Sequence, residues 1–167
     1  MQGKAKIKDH PIHPMLVSFP IGFWTGSLIS DILYFATDND FWTQMGTTLM
    51  GFGIIGALAA AVFGFIDYFT APMPMKVKRT ATKHMVLNLG LTAMYSLNLY
   101  IRSRTPETPT GYALSVIAIA ALMYSGWLGG DLAYEHRVGV KEEDEGKLRA
   151  AGRPAEERGR PVGSHPR

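Results

Sequence analysis

The chain has no cysteine. That excludes disulfides, thiolate zinc sites, iron–sulfur ligation and a cysteine nucleophile. It also has little net charge: 17 Lys and Arg stand against 14 Asp and Glu, a formal +3 over 167 residues. A nucleic-acid binder would gather a larger basic excess on one face, so nucleic acid is not expected among its partners. There is no nucleophile motif, no phosphate-cradling loop and no repeat of the solenoid kind. No small-residue cleavage site follows the first apolar run, so that run is expected to stay as the membrane-targeting segment.

What the chain has is long apolar runs. Its mean hydropathy of +0.04 conceals them, because a polar start and a polar tail dilute a very apolar middle. Four stretches stand out: Met15–Ala36, Trp42–Phe69, Met85–Ile101 and Tyr112–Tyr134. About 20 mostly apolar residues cross a bilayer as a helix. The stretches lack the period-2 alternation of barrel strands. Aromatic residues near their ends, among them Tyr34, Trp42, Tyr68, Tyr100 and Tyr134, suit the two membrane interfaces. The expected fold is therefore all-α: a transmembrane up-down four-helix bundle. Its expected helices run at about 14–36, 42–69, 84–102 and 111–136. Residues 1–13 form a short polar N-terminal segment. Residues 137–167 form a charged tail too poor in apolar surface to fold, and expected to be disordered. The proline- and threonine-bearing stretches 70–84 and 102–111 read as loops.

Charge sets the orientation. Call the end that carries both termini side A. Three lysines precede the first helix, four basic residues lie in 70–84 and eight in the tail, against only Arg102 and Arg104 at the opposite end. The positive-inside rule then puts both termini in the cytoplasm of a bacterial cell, with the bundle in the inner membrane.

Ionisable groups within a membrane are costly and mark functional sites by default. Every helix brings one to side A: His10 and His13, Asp67, His84, then Asp131, Glu135 and His136. His165 lies apart in the tail. At 100° per residue, His84, Asn88, Thr92, Tyr95 and Asn98 form one polar stripe that must face inward. The same angle puts Asp131 about 140° from His136. In helix two, Gly46, Gly53, Ala60 and Asp67 recur at seven-residue steps, and helix four has Ala121, Ser125 and Gly129. Such faces let backbones approach closely. Pro20 should kink the first helix, and Asp31 can pair with Arg102 at the opposite mouth.

In an up-down bundle helices one and three are diagonal, so His13 and His84 can meet across the core. That suits axial ligation of a b-type haem, with His136 a third candidate and Met15 a weaker one. Asp67 and Asp131 would then accept from the imidazole N–H groups, with Asn88 beside them. The alternative cofactor is a divalent metal on His10, His13, His84 and His136. A redox role, with an electron-transfer partner or a homo-oligomer, is the leading expectation. A cofactor-free proton or small-solute pathway and a membrane scaffold or accessory subunit are the rivals.

The run His10-Pro-Ile-His-Pro-Met15, with Phe19-Pro-Ile-Gly22, resembles the opening of a bacterial family of inner-membrane proteins, the domain of unknown function numbered 2231. Gly64-Phe-Ile-Asp67, His84, and Trp127-Leu-Gly-Gly-Asp-Leu-Ala-Tyr-Glu-His136 are similar to its other hallmarks. The likeness spans roughly residues 9–140. It implies a four-helix inner-membrane domain. Some relatives carry Rieske-type or cytochrome modules, which implies electron transfer; this chain has no such fused module.

Overall fold

The computed structural model describes Met1, residues 3–8 and residues 10–139. A two-residue hairpin opens the chain, β1 (Lys6–Ile7) against β2 (His10–Pro11). A short α1 (Ile12–Leu16) leads into four long helices: α2 (Ser18–Thr37), α3 (Asp40–Thr70), α4 (Met75–Arg104) and α5 (Pro109–Gly130). A π-helical turn, Asp131–Glu135, follows. The long helices run up and down, each packed on its sequential neighbour, with α5 closing the ring against α2. The expected disorder of the tail concerns residues 140–167, which lie outside the described residues.

The interior mixes small polar residues with a few large side chains, whereas the outer face is apolar and large. Ser27, Ser115 and Ser125 are buried, while Ile55, Val62, Ile117 and Met123 are more than half exposed. In water such an outer surface would drive association. Against lipid tails it costs nothing, and small interior residues let the helices close up. Three segments are long and apolar enough to cross a membrane: Ile12–Thr37, Asp40–Thr70 and Pro109–Glu135. α4 has 30 residues but is not among them. Its polar residues lower its hydropathy because they face inward: Tyr95, Asn98 and Arg102 are each 1% exposed.

Two boundaries differ from the sequence reading. The third long helix starts at Met75, not near 84. Pro72 and Pro74 confine the turn to four residues, and the Lys, Arg and Ala that follow are good helix formers. Val77 is buried, and Tyr68 Oη lies 2.8 Å from Thr82 Oγ1, so the basic stretch is a packed turn of helix and not a loop. The first helix begins at Ile12 and breaks at Val17. Pro20 has no N–H to offer the Leu16 carbonyl four residues earlier, and the break falls there. The second long helix starts where Asn39 Oδ1 accepts from Phe41 N–H at 3.0 Å, a side-chain cap.

The centre of the bundle is a stack. The Trp24 indole and Tyr95 ring lie 4.2 Å apart and 9° from parallel, between the diagonal helices α2 and α4. Trp24 fits because Gly53 has no side chain; a Cβ there would run into the indole. A Gly53→Leu substitution is therefore expected to lower the melting temperature of the detergent-purified protein, through overpacking of about 1–3 kcal/mol. Gly22→Leu should leave it unchanged, since nothing lies within 4 Å of a Cβ there. Equal melting of the two variants would refute the close packing of α2 on α3.

Candidate functional site

Side A of the bundle holds two histidines face to edge. His13, in α1, and His84, in α4, have ring centres 6.4 Å apart and planes 87° apart. Each ring is fixed in the same way. His13 Nδ1 lies 2.9 Å from the Ala60 carbonyl of α3, and His84 Nδ1 lies 3.0 Å from the Ser125 carbonyl of α5. A carbonyl only accepts, so in each neutral ring Nδ1 carries the proton and Nε2 keeps its lone pair. Asn88 meets that lone pair in His84, its Nδ2 donating at 3.2 Å to Nε2 and at 2.7 Å to Ser125 Oγ.

Glycines make the room. A Cβ at Gly64 would come within 3.0 Å of the His13 ring, and one at Gly129 within 3.1 Å of the His84 ring. Each glycine lies four residues after the residue whose carbonyl holds the imidazole. Helix geometry puts it one turn on, on the same face. The rings line a cavity of about 390 Å³ with mostly apolar walls, among them Pro20, Trp24, Ala57, Phe65 and Leu122. That volume lies in the range that holds small molecules and cofactors.

Of the other candidates, Asp67 lines the same cavity but bonds backbone instead of the rings. Asp67 Oδ1 accepts the Ala5 backbone N–H at 3.0 Å, and Thr70 Oγ1 accepts from Lys4 N–H at 3.0 Å. Asp67 thus pins the N-terminal segment over the side A end of α3. The imidazole N–H groups go to backbone carbonyls, which replaces the expected role of Asp67 and Asp131 as their acceptors. His10 is exposed, its Nδ1 2.9 Å from the Lys8 carbonyl. Met15 is exposed too. Among the described residues no three His, Cys, Asp or Glu come together as a metal site would need. The four-histidine set is therefore not assembled.

Asp131 and His136 correct an angle. A 100° step holds them apart, yet His136 Nε2 lies 3.6 Å from Asp131 Oδ2. The cause is the π turn, in which His136 N–H donates to the Asp131 carbonyl five residues back. Five residues then make about one turn, and the two side chains come over one another. The pair is partly exposed and touches neither ring.

The opposite end holds an ion pair. Arg102 Nη1 lies 2.7 Å and 3.0 Å from the two oxygens of Asp31, with both side chains buried. The Arg102 guanidinium also lies 4.9 Å from the Tyr112 ring centre. Asn98, one turn earlier, donates at 3.0 Å to both the Gly111 carbonyl and Ser115 Oγ.

A helical bundle with an apolar outer face and three helices long and apolar enough to cross a bilayer has the make-up of a membrane protein. Residues 9–142 match the sequence profile of the family described as predicted membrane proteins, DUF2231, and the chain belongs to that family. No curated protein and no solved structure matches it.

Two outcomes test these assignments. Asp67→Ala should free the N-terminal segment, read as faster proteolysis or hydrogen exchange of residues 3–8. Arg102→Leu should cost about 3–5 kcal/mol by stranding the Asp31 carboxylate, and Asp31→Leu added to it should restore most of that loss. Additive losses in the two variants would show that the pair is not coupled.

Proposed function

We propose that the protein binds b-type haem between His13 and His84 and serves electron transfer in the bacterial inner membrane. One observation carries this reading: two half-buried imidazoles have ring centres 6.4 Å apart, and each is held through Nδ1 by a backbone carbonyl, which leaves Nε2 with the lone pair. His13 from α1 and His84 from α4 would hold the iron.

The donor set favours haem over a bare divalent ion. A porphyrin brings nitrogens of its own and would ask only two more ligands of the protein, His13 and His84. A bare ion needs three or more protein ligands. Haem would supply a one-electron iron couple. The chain's part is to fix both rings through Ala60 and Ser125 and to close apolar walls around them. Those carbonyl bonds also raise the basicity of Nε2. Asn88 would turn its amide from His84 Nε2 to Ser125 Oγ, which it already reaches.

The basic excess at side A favours a cytoplasmic location for that end and its site, and a partner approaching there. The polar stripe of α4 is the argument for a proton pathway. Against it, Thr92 Oγ1 donates to its own helix at Asn88 O, and the Trp24–Tyr95 stack lies between the histidines and Asn98.

Titration of the detergent-purified protein with haemin tests the proposal. The expected product has a sharp Soret band and, after dithionite, a sharp α band. His13→Ala or His84→Ala should abolish the six-coordinate spectrum while leaving membrane insertion intact. Unchanged haem ligation in both variants, or no uptake by the wild type, would overturn it.

A further inference from the structure

The two halves of the bundle match at a set of spaced positions. Add 71 to a position in α1 or α2 and the result is its counterpart in α4: His13 with His84, Leu16 with Leu87, Trp24 with Tyr95, Ser27 with Asn98, Leu28 with Leu99, Asp31 with Arg102. Add 65 to a position in α3 and the result is its counterpart in α5: Thr43 with Thr108, Gly46 with Gly111, Leu49 with Leu114, Ile54 with Ile119, Ala60 with Ser125, Gly64 with Gly129. The offset drops by six because the first hairpin is longer at its turn, with 12 steps from Asp31 to Thr43 against six from Arg102 to Thr108.

Contacts follow the same arithmetic. His13 bonds the Ala60 carbonyl and packs on Gly64; His84 bonds the Ser125 carbonyl and packs on Gly129. Ser27 Oγ donates to the Gly46 carbonyl at 2.9 Å, and Asn98 Nδ2 to the Gly111 carbonyl at 3.0 Å. A Cβ at Gly46 would meet Asp31, and one at Gly111 would meet Arg102. Three of the matched residues meet their own counterparts: His13 with His84, Trp24 with Tyr95, Asp31 with Arg102. Only residues beside a twofold axis can touch their own mates. α2 and α4 both run from side A to the opposite end, so that axis lies along the bundle.

We infer that the bundle is one helical hairpin present twice, and that the histidine cavity is a shared site on the pseudo-twofold axis, built for a planar ligand that takes one equivalent imidazole on each face. The ligand part rests on the haem reading; the duplication does not. The histidines have kept the symmetry, as a two-faced ligand requires. At the far end it is broken into Asp31 and Arg102. Two like charges buried on the axis would repel without compensation, whereas unlike ones pair.

Exchange of the axial charges in the full-length protein tests the duplication. Asp31→Arg alone and Arg102→Asp alone each bury two like charges, and each should lower the melting temperature by roughly 6–20 °C. Asp31→Arg combined with Arg102→Asp should regain most of that loss, because Gly46 gives a side chain at 31 the room that Gly111 gives at 102. The Tyr112 ring has no aromatic mate at Thr47, so recovery stops short of complete. A double variant no more stable than the singles would overturn the duplication.

The second arm uses haemin with His13→Ala and His84→Ala. Each should lose one axial ligand, and added imidazole should restore the low-spin spectrum of both to a similar extent. If the charge exchange is tolerated but only one histidine matters, the duplication stands and the two-faced ligand falls. If the wild type takes up no haemin at all, the haem reading falls while the charge exchange still reports on the duplication.

Discussion

Lipid offers a polar side chain no partner, so a polar group on these helices is costly unless it is answered from inside the bundle. The rest of the structure follows from that constraint. The Asp31 carboxylate is answered by Arg102 and the imidazole N–H groups by backbone carbonyls. Asn98 finds Ser115 and the Gly111 carbonyl. Each answer needs helices close enough for a side chain to reach a neighbour's backbone. Glycine, alanine and serine at seven-residue steps on α3 and α5 supply that closeness. The small residues and the polar residues are thus one device seen from two helices.

Much of this was legible in the chain. Run length and the absence of period-2 alternation identified long helices. The steps of three and four from His84 to Asn98 identified the face of α4 that turns inward: His84, Asn88 and Asn98 bond to α5, and Tyr95 stacks on Trp24 of α2. Depth along the helices puts Asp31 and Arg102 at one level and His13 and His84 at another. The meeting of α2 and α4 across the diagonal follows from an up-down topology with short turns.

Three features were not legible, each for a local reason. The start of α4 was hidden because a basic, threonine-bearing stretch after two prolines reads as a loop; only packing of Val77 and Tyr68 shows that it is helix. The Asp131–His136 contact was hidden because helical angle assumes 100° per residue, and a π turn is not written in the pattern of apolar residues. The partner of Asp67 was hidden: the carboxylate does line the cavity, but the imidazole N–H groups go to backbone carbonyls. The carboxylate's partner is the backbone of the N-terminal segment, which no side-chain pattern records.

The matched halves explain why the site is where it is. A residue on a twofold axis is presented twice, so a single useful imidazole in one hairpin becomes a facing pair when two hairpins associate. No other step is needed to make an axial pair from one histidine. The same geometry is hostile to charge, because a buried acid on the axis would face its own copy. Joining the copies in one chain lets them differ, and at the far end they do, as acid and base. At side A they do not differ, although a histidine and a carboxylate could have paired there just as Asp31 and Arg102 pair. A hydrogen-bonded structural pair gains from being unlike, whereas a central ion gains from two like donors. The retained likeness of His13 and His84 beside the broken likeness of Asp31 and Arg102 therefore argues for something between the imidazoles, rather than for a bond from one to the other.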